Sequence, residues 1–148
     1  MKVHQMVMDI YKVDEEATRA AVEKYLFQAR EYKVTEYIPD EPSVTASPEV
    51  RYHGPTNVTG DQTATIAIRA ADEMERRRRH VERAERAVSR LGERQRRLIQ
   101  VRYMDDDDVL DYNAAEELGF SERHYRRIKS VAIYRLASTL GLIVLREE

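Results

Sequence analysis

Apolar residues return at helical intervals along most of the chain, and the breaks between these runs divide it into elements. Val22, Tyr25, Leu26 and Ala29 share one face of a helix. That helix is expected to start at Asp14-Glu15-Glu16 and run to about Arg30. Asp14 can accept hydrogen bonds from free N–H groups there, and the acids suit the positive end of the helix dipole. Residues 33–60 lose the pattern: Pro39, Pro42, Pro48 and Pro55, with Gly54 and Gly60, predict an extended connector. Asp61 is expected to cap a long helix. Its apolar positions run Ala67, Ala70, Met74, then the charged Arg77, then Val81, Ala84, Val88 and Leu91. Gly92 interrupts, and a helix fits Glu93 to Met104 with Leu98, Ile99 and Tyr103 inward. Asp105 to Asp108 form a loop. Asp111 starts or caps a short helix over Tyr112–Leu118, which Gly119 ends. Ser121 caps a last long helix, Glu122 to Leu140, closed by Gly141. Leu142 to Leu145 reads as a terminal strand or a docked tail.

The alternating three- and four-residue steps of the long helix make a heptad-type seam. One reading packs it on its own domain. The other pairs two chains as a homodimer through the helix 67–91, although the many alanines make that seam thin. Together the elements predict an all-α protein. Residues 1–60 would hold the N-terminal helix and the connector, and residues 61–148 the long helix and the domain after it.

Composition adds two exclusions. With no cysteine there is no disulfide framework and no thiolate zinc site. No run approaches the roughly 18 apolar residues of a membrane span. Met1 to Met6 lacks the apolar core of a signal peptide. A cytoplasmic protein is expected. The net charge of −2 hides segregation. Residues 69–102 carry 12 basic and 6 acidic groups, residues 103–118 carry 7 acids and no base, and residues 121–138 carry 5 bases and 1 acid. A mildly acidic total is therefore compatible with a polyanion partner, provided one basic block forms a face. Of the 25 basic residues 20 are arginine, which suits bidentate contacts to phosphate or guanine.

The chemistry concentrates in Ala114 to Lys129. Ala115 is small enough for two helices to cross. Gly119 tolerates positive φ in the turn. Ala114, Leu118, Phe120, Tyr125 and Ile128 stand where a helix-turn-helix needs apolar residues. On a helical wheel with Tyr125 at zero, Ile128, Ala132 and Leu136 lie within about 60°. Arg123, Arg127, Ser130 and Tyr134 lie near the opposite side, with Arg126 at its edge. Such a helix fits the major groove of B-DNA, where arginine reaches guanine O6 and N7 together. Ser121 to Arg127 should do most of the base reading. Arg126, Arg127, Lys129 or Arg135 can touch phosphates instead. Glu122 fits either the helix dipole or a hydrogen bond from cytosine N4. The candidate DNA-binding set is thus Ser121, Glu122, Arg123, Arg126, Arg127, Lys129, Ser130 and Tyr134.

The run Leu91-Gly92-Glu93-Arg94, Leu98-Ile99 and Arg102-Tyr103, followed by this unit, resembles region 4 of sigma-70-like factors. A closer resemblance is to the ArpU-like (autolysin regulatory protein) family of phage transcriptional regulators. It rests on Asp111-Tyr112, Glu117 to Glu122, Tyr125 to Lys129, Tyr134 to Ala137 and Leu140-Gly141-Leu142. The match is specific over the last 60 residues and loose before them. Gly92 departs from the proline usual in the sigma pattern, the four consecutive Asp are unusual, and Arg replaces Lys at several positions. The resemblance implies a sigma-region-4-like helix-turn-helix fold and a small phage or prophage protein that binds DNA and controls late genes. Arg123, Arg126, Arg127 and Ser130 would face the groove. Double-stranded DNA is the implied partner, with RNA polymerase as a second. A packaging subunit resembling small terminases and a helical module acting on polymerase are the competing readings.

Other signals are weaker. A calcium loop starting at Asp106 would place Leu110 and Asp111 where Asp and Gly belong. His4, His53, His80 and His124 lack ligand spacing, and no nucleophile motif or phosphate-binding glycine loop occurs. Neither enzymatic activity, a metal nor a cofactor is expected. Arg76 to Arg79 are read as a solvated surface paired with Glu73, Glu75, Glu82 and Glu85.

Overall fold

The computed structural model describes residues 12–41 and 57–147; their regular structure is all helical, with no strand among them. The helices are α1 (Glu15–Val34), α2 (Asn57–Ser89), α3 (Glu93–Ile99), α4 (Asp111–Leu118) and α5 (Glu122–Leu140). A π-helical segment, Gln100–Asp105, continues α3. The all-α expectation holds. Several boundaries move: α1 runs one turn past Arg30, and α2 begins at Asn57, so Asp61 lies inside it rather than capping it. The helix expected over 93–104 changes pitch after Ile99. The expected connector covers residues 35–41 without helix, and its Pro42, Pro48 and Pro55 fall outside the described residues.

The N-terminal helix is built into the same core as the C-terminal half, so the division drawn at residue 60 does not separate two cores. Val22 and Leu26 are fully buried with Ala87, Val88, Leu98, Ile99, Tyr103, Tyr125 and Leu136. Burying a side chain such as Leu26 stabilises the fold by about 1.5–3 kcal/mol. Polar contacts fix the same docking. Asp14 caps α1 as expected, accepting from the Ala17 N–H at 3.0 Å. The His80 ring of α2 stacks on Tyr25 at 3.8 Å. Arg30 donates to the carbonyls of Tyr103 and Asp106, both at 3.1 Å, which satisfies the open end of the π-helical segment.

The long seam is used unevenly. Ala84, Val88 and Leu91 are buried within this chain, whereas Ala67 is exposed and Met74 is 48% exposed. Its C-terminal half is therefore taken by the protein's own core. The charged interruption, Arg77, lies over the rings of Tyr32 and Tyr37 at 5.0 and 4.9 Å and pairs with Glu73 at 2.9 Å. The neighbouring arginines are satisfied locally, as the sequence suggests: Arg76 by Glu73, Arg78 by Glu75 and Glu82, and Arg79 by Glu75. Glu85 differs, pairing with Lys33 of α1 at 2.8 Å.

The last residues form a docked tail. Gly141 takes the left-handed conformation (φ 70°), which turns the chain back from α5. Val144 then accepts from the Asp14 N–H at 2.8 Å and donates to the buried Thr18 hydroxyl at 3.0 Å. A single antiparallel bridge joins Val13 to Leu145.

Candidate nucleic-acid interface

Three residues, Gly119 to Ser121, link α4 to α5. Gly119 adopts φ 71° and ψ 28°, a region that side chains with a Cβ disfavour. This lets the Phe120 N–H donate to the Ala115 carbonyl at 3.0 Å and close α4. Ser121 then opens α5, its hydroxyl accepting from the His124 N–H at 3.2 Å. Ala114, Ala115 and Tyr125 are buried, and Leu118, Phe120 and Ile128 are partly buried against them. Every apolar position expected of the unit thus faces the core.

α5 buries a wider arc than the wheel suggests. Ile133 and Ala137 are buried along with Ala132, Leu136 and Leu140, because α1 covers a second side of the helix. What stays outside is basic. Arg123, Arg126, Arg127 and Ser130 are exposed, as are Ser121 and Glu122, while Tyr134 is half-buried. Arg126 lies 3.3 Å from Glu122, with both side chains more than two-thirds solvent-accessible, so the pair is weak and easily exchanged. Arg127 approaches His124 Nδ1 at 3.4 Å, and His124 meets the Phe120 ring edge-on at 5.1 Å. No described carboxylate pairs with Arg123 or Arg127. Arg135 donates to Gln95 of α3 at 2.9 Å.

Lys129 does not join this face. Its ammonium turns inward to Asp111 (2.9 and 3.0 Å), leaving the side chain 13% exposed. The reason is its angle: four residues after Tyr125 it stands only about 40° from the buried centre. Asp111 is accordingly not a helix cap. Leu110 occupies that position, its N–H donating to Asn113 Oδ1 at 3.0 Å. The Asp111 carboxylate instead gathers Lys129, the Tyr125 hydroxyl (2.7 Å) and Arg102 Nε (3.0 Å), joining α4, α5 and the π-helical segment. Burial would raise its pKa, but the hydrogen bonds from Tyr125 and Lys129 outweigh that and hold the carboxyl below its usual value. Burial, and then the hydrogen bond to Asp111, push the Tyr125 phenol well above its ordinary range. The one signal for this hub in the sequence was a lysine on the inward side of a helix, which requires an acid nearby.

Acids border Arg126 on one side. Glu15 and Glu16 of α1 line a groove that also holds Arg126 and Ser130. Asp105 to Asp108 are exposed beyond α3, and Asp107 lies 3.1 Å from Arg30. Among the described residues no cluster of His, Asp or Glu is arranged to hold a metal ion, and no helix is long and apolar enough to cross a membrane. Set against family models, curated proteins and solved structures, the chain shows no match.

Proposed function

We propose that the chain is a sequence-specific regulator of transcription that binds double-stranded DNA with the N-terminal half of α5 in the major groove. The carrying observation is the exposed face of Arg123, Arg126 and Arg127, whose one carboxylate partner among the described residues is Glu122, on a helix whose other side is buried. Guanidinium groups held this way can donate to guanine edges and to phosphates. Ser130 and Tyr134 complete the face, and Ser121 orients its first turn. The acids of α1 and of residues 105–108 repel phosphate and so restrict how a duplex can approach.

The resemblance to ArpU-like regulators and to sigma region 4 supports reading it as a phage or prophage activator of late genes acting in the bacterial cytoplasm. One such unit makes few phosphate contacts, so affinity needs a second source. RNA polymerase is one. A second chain is the other, and pairing would then use Ala67 and Met74, the seam positions left exposed on either side of the buried Ala70. The test is DNA binding by Arg123→Ala and Arg127→Ala, measured by fluorescence anisotropy on duplexes selected by the wild type. Each should lose about 1–3 kcal/mol of specific binding and relax sequence preference. Wild-type affinity and preference in both would overturn the reading.

A further inference from the structure

A second basic surface lies on α2 and α3. Arg83, Arg86 and Arg90 follow one another at three- and four-residue steps and are all exposed. They therefore line one side of the helix, with successive Cβ atoms about 5–6 Å apart. Arg94 and Arg97 are exposed on α3, just beyond the turn. The contrast with Arg76 to Arg79 is informative, since each of those is paired with glutamate. Of the acids nearest the second group, Glu82 is committed to Arg78 and Glu85 to Lys33, and the exposed Glu93 stands beside Arg94. No described carboxylate pairs with Arg83, Arg86 or Arg90. A solvated helix surface normally mixes signs and neutralises itself, as α2 does one turn earlier.

This stripe is rigidly joined to the α5 face. Ala87 and Val88, interleaved with the arginines, belong to the core that holds Tyr125 and Leu136. Gln95 of α3 binds Arg135 of α5. We infer that Arg83, Arg86 and Arg90 form a second DNA contact, gripping phosphates of the duplex outside the segment that α5 reads. The stripe carries charge without the shaped, partly apolar surroundings that base reading requires, so its contribution is to affinity and not to sequence choice. It supplies affinity that a single recognition helix lacks.

The inference rests on the DNA-binding reading, and one experiment separates the two. Binding of wild type and of the triple variant Arg83→Gln, Arg86→Gln, Arg90→Gln is measured against salt, on a long duplex and on one limited to the segment bound by α5. Losing three phosphate contacts should make the logarithmic salt slope on the long duplex shallower by about 3. The wild-type advantage there should shrink about 40-fold between 50 and 200 mM salt, as that slope requires. On the short duplex the two proteins should bind alike, and sequence preference should not change. The corresponding triple Arg→Lys variant should keep the wild-type slope, which excludes a folding defect at these positions. An unchanged slope in the glutamine variant, with salt-dependent wild-type binding, would refute the stripe and leave the α5 reading standing. So would sedimentation showing that the glutamine substitutions act by separating two chains, because the stripe would then be a protein contact. Wild-type protein without affinity for any duplex would instead remove the α5 reading, and the stripe with it.

Discussion

Replacing Asp111 by alanine removes one carboxylate and leaves three donors without it. Lys129 and Arg102 are each 13% exposed, so neither can recover full hydration where it stands. Breaking a fully buried ion pair costs about 3–5 kcal/mol. Asp111 itself is about half exposed (48%), so water screens the pair and can enter the gap. Discounting for that exposure leaves a loss of about 2 kcal/mol. For a chain of this size that lowers Tm by about 4–8 °C. Urea unfolding followed by far-UV circular dichroism measures it directly. The pH dependence carries its own sign. The folded-state pKa of Asp111 lies below its unfolded value, so its contribution is fully present above about pH 4 and fades as pH falls through the folded value. The gap between wild type and variant should stay constant from neutral pH to about pH 5 and close in stronger acid. Adding Lys129→Met to Asp111→Ala removes the stranded ammonium and should recover at least about 1 kcal/mol. A single variant within about 0.5 kcal/mol of wild type, or strictly additive losses in the double variant, would refute the hub.

One further substitution and one titration probe the fold. Leu26→Ala, at a fully buried position of α1, should cost about 2–5 kcal/mol in chemical denaturation; a loss below about 0.5 kcal/mol would mean that α1 sits apart from the core. Glu73 and Glu75 each accept hydrogen bonds from two arginines, which hold both carboxyls at about 2. Carboxyl-carbon NMR should therefore show both still ionised at about pH 3, whereas midpoints near the ordinary value of about 4.3 would show that the pairs do not persist in solution.

The local grammar of the C-terminal half was legible in its residues. Ser121, Gly119 and Gly141 mark where α4 and α5 start and stop, because a side-chain cap and a left-handed backbone are requirements of single positions. The exposure of Arg123, Arg126 and Arg127 followed from helical periodicity alone. What periodicity could not supply was the partner on each face. Ile133 and Ala137 looked peripheral until α1, more than 100 residues away in sequence, covered them. Shorter but still long separations hid the pairing of Lys33 with Glu85 and of Arg30 with the π-helical segment. Asp111 was misread as a cap because Asp before a helix usually is one, and Lys129 was grouped with the arginines by charge and not by angle. The change of pitch after Ile99 has no residue that announces it.

The clasp between Thr18 and Val144 spans 126 residues. On a ribosome, the hydroxyl of that contact is made 126 residues before the N–H. Contacts so distant in sequence are slow to close, because the loop between them must first be ordered. Until residues 142–146 leave the exit tunnel, the first turns of α1 have no cover on that side. A nascent chain stalled short of Leu142 should then be cut by protease near Thr18, at a site that the finished molecule protects.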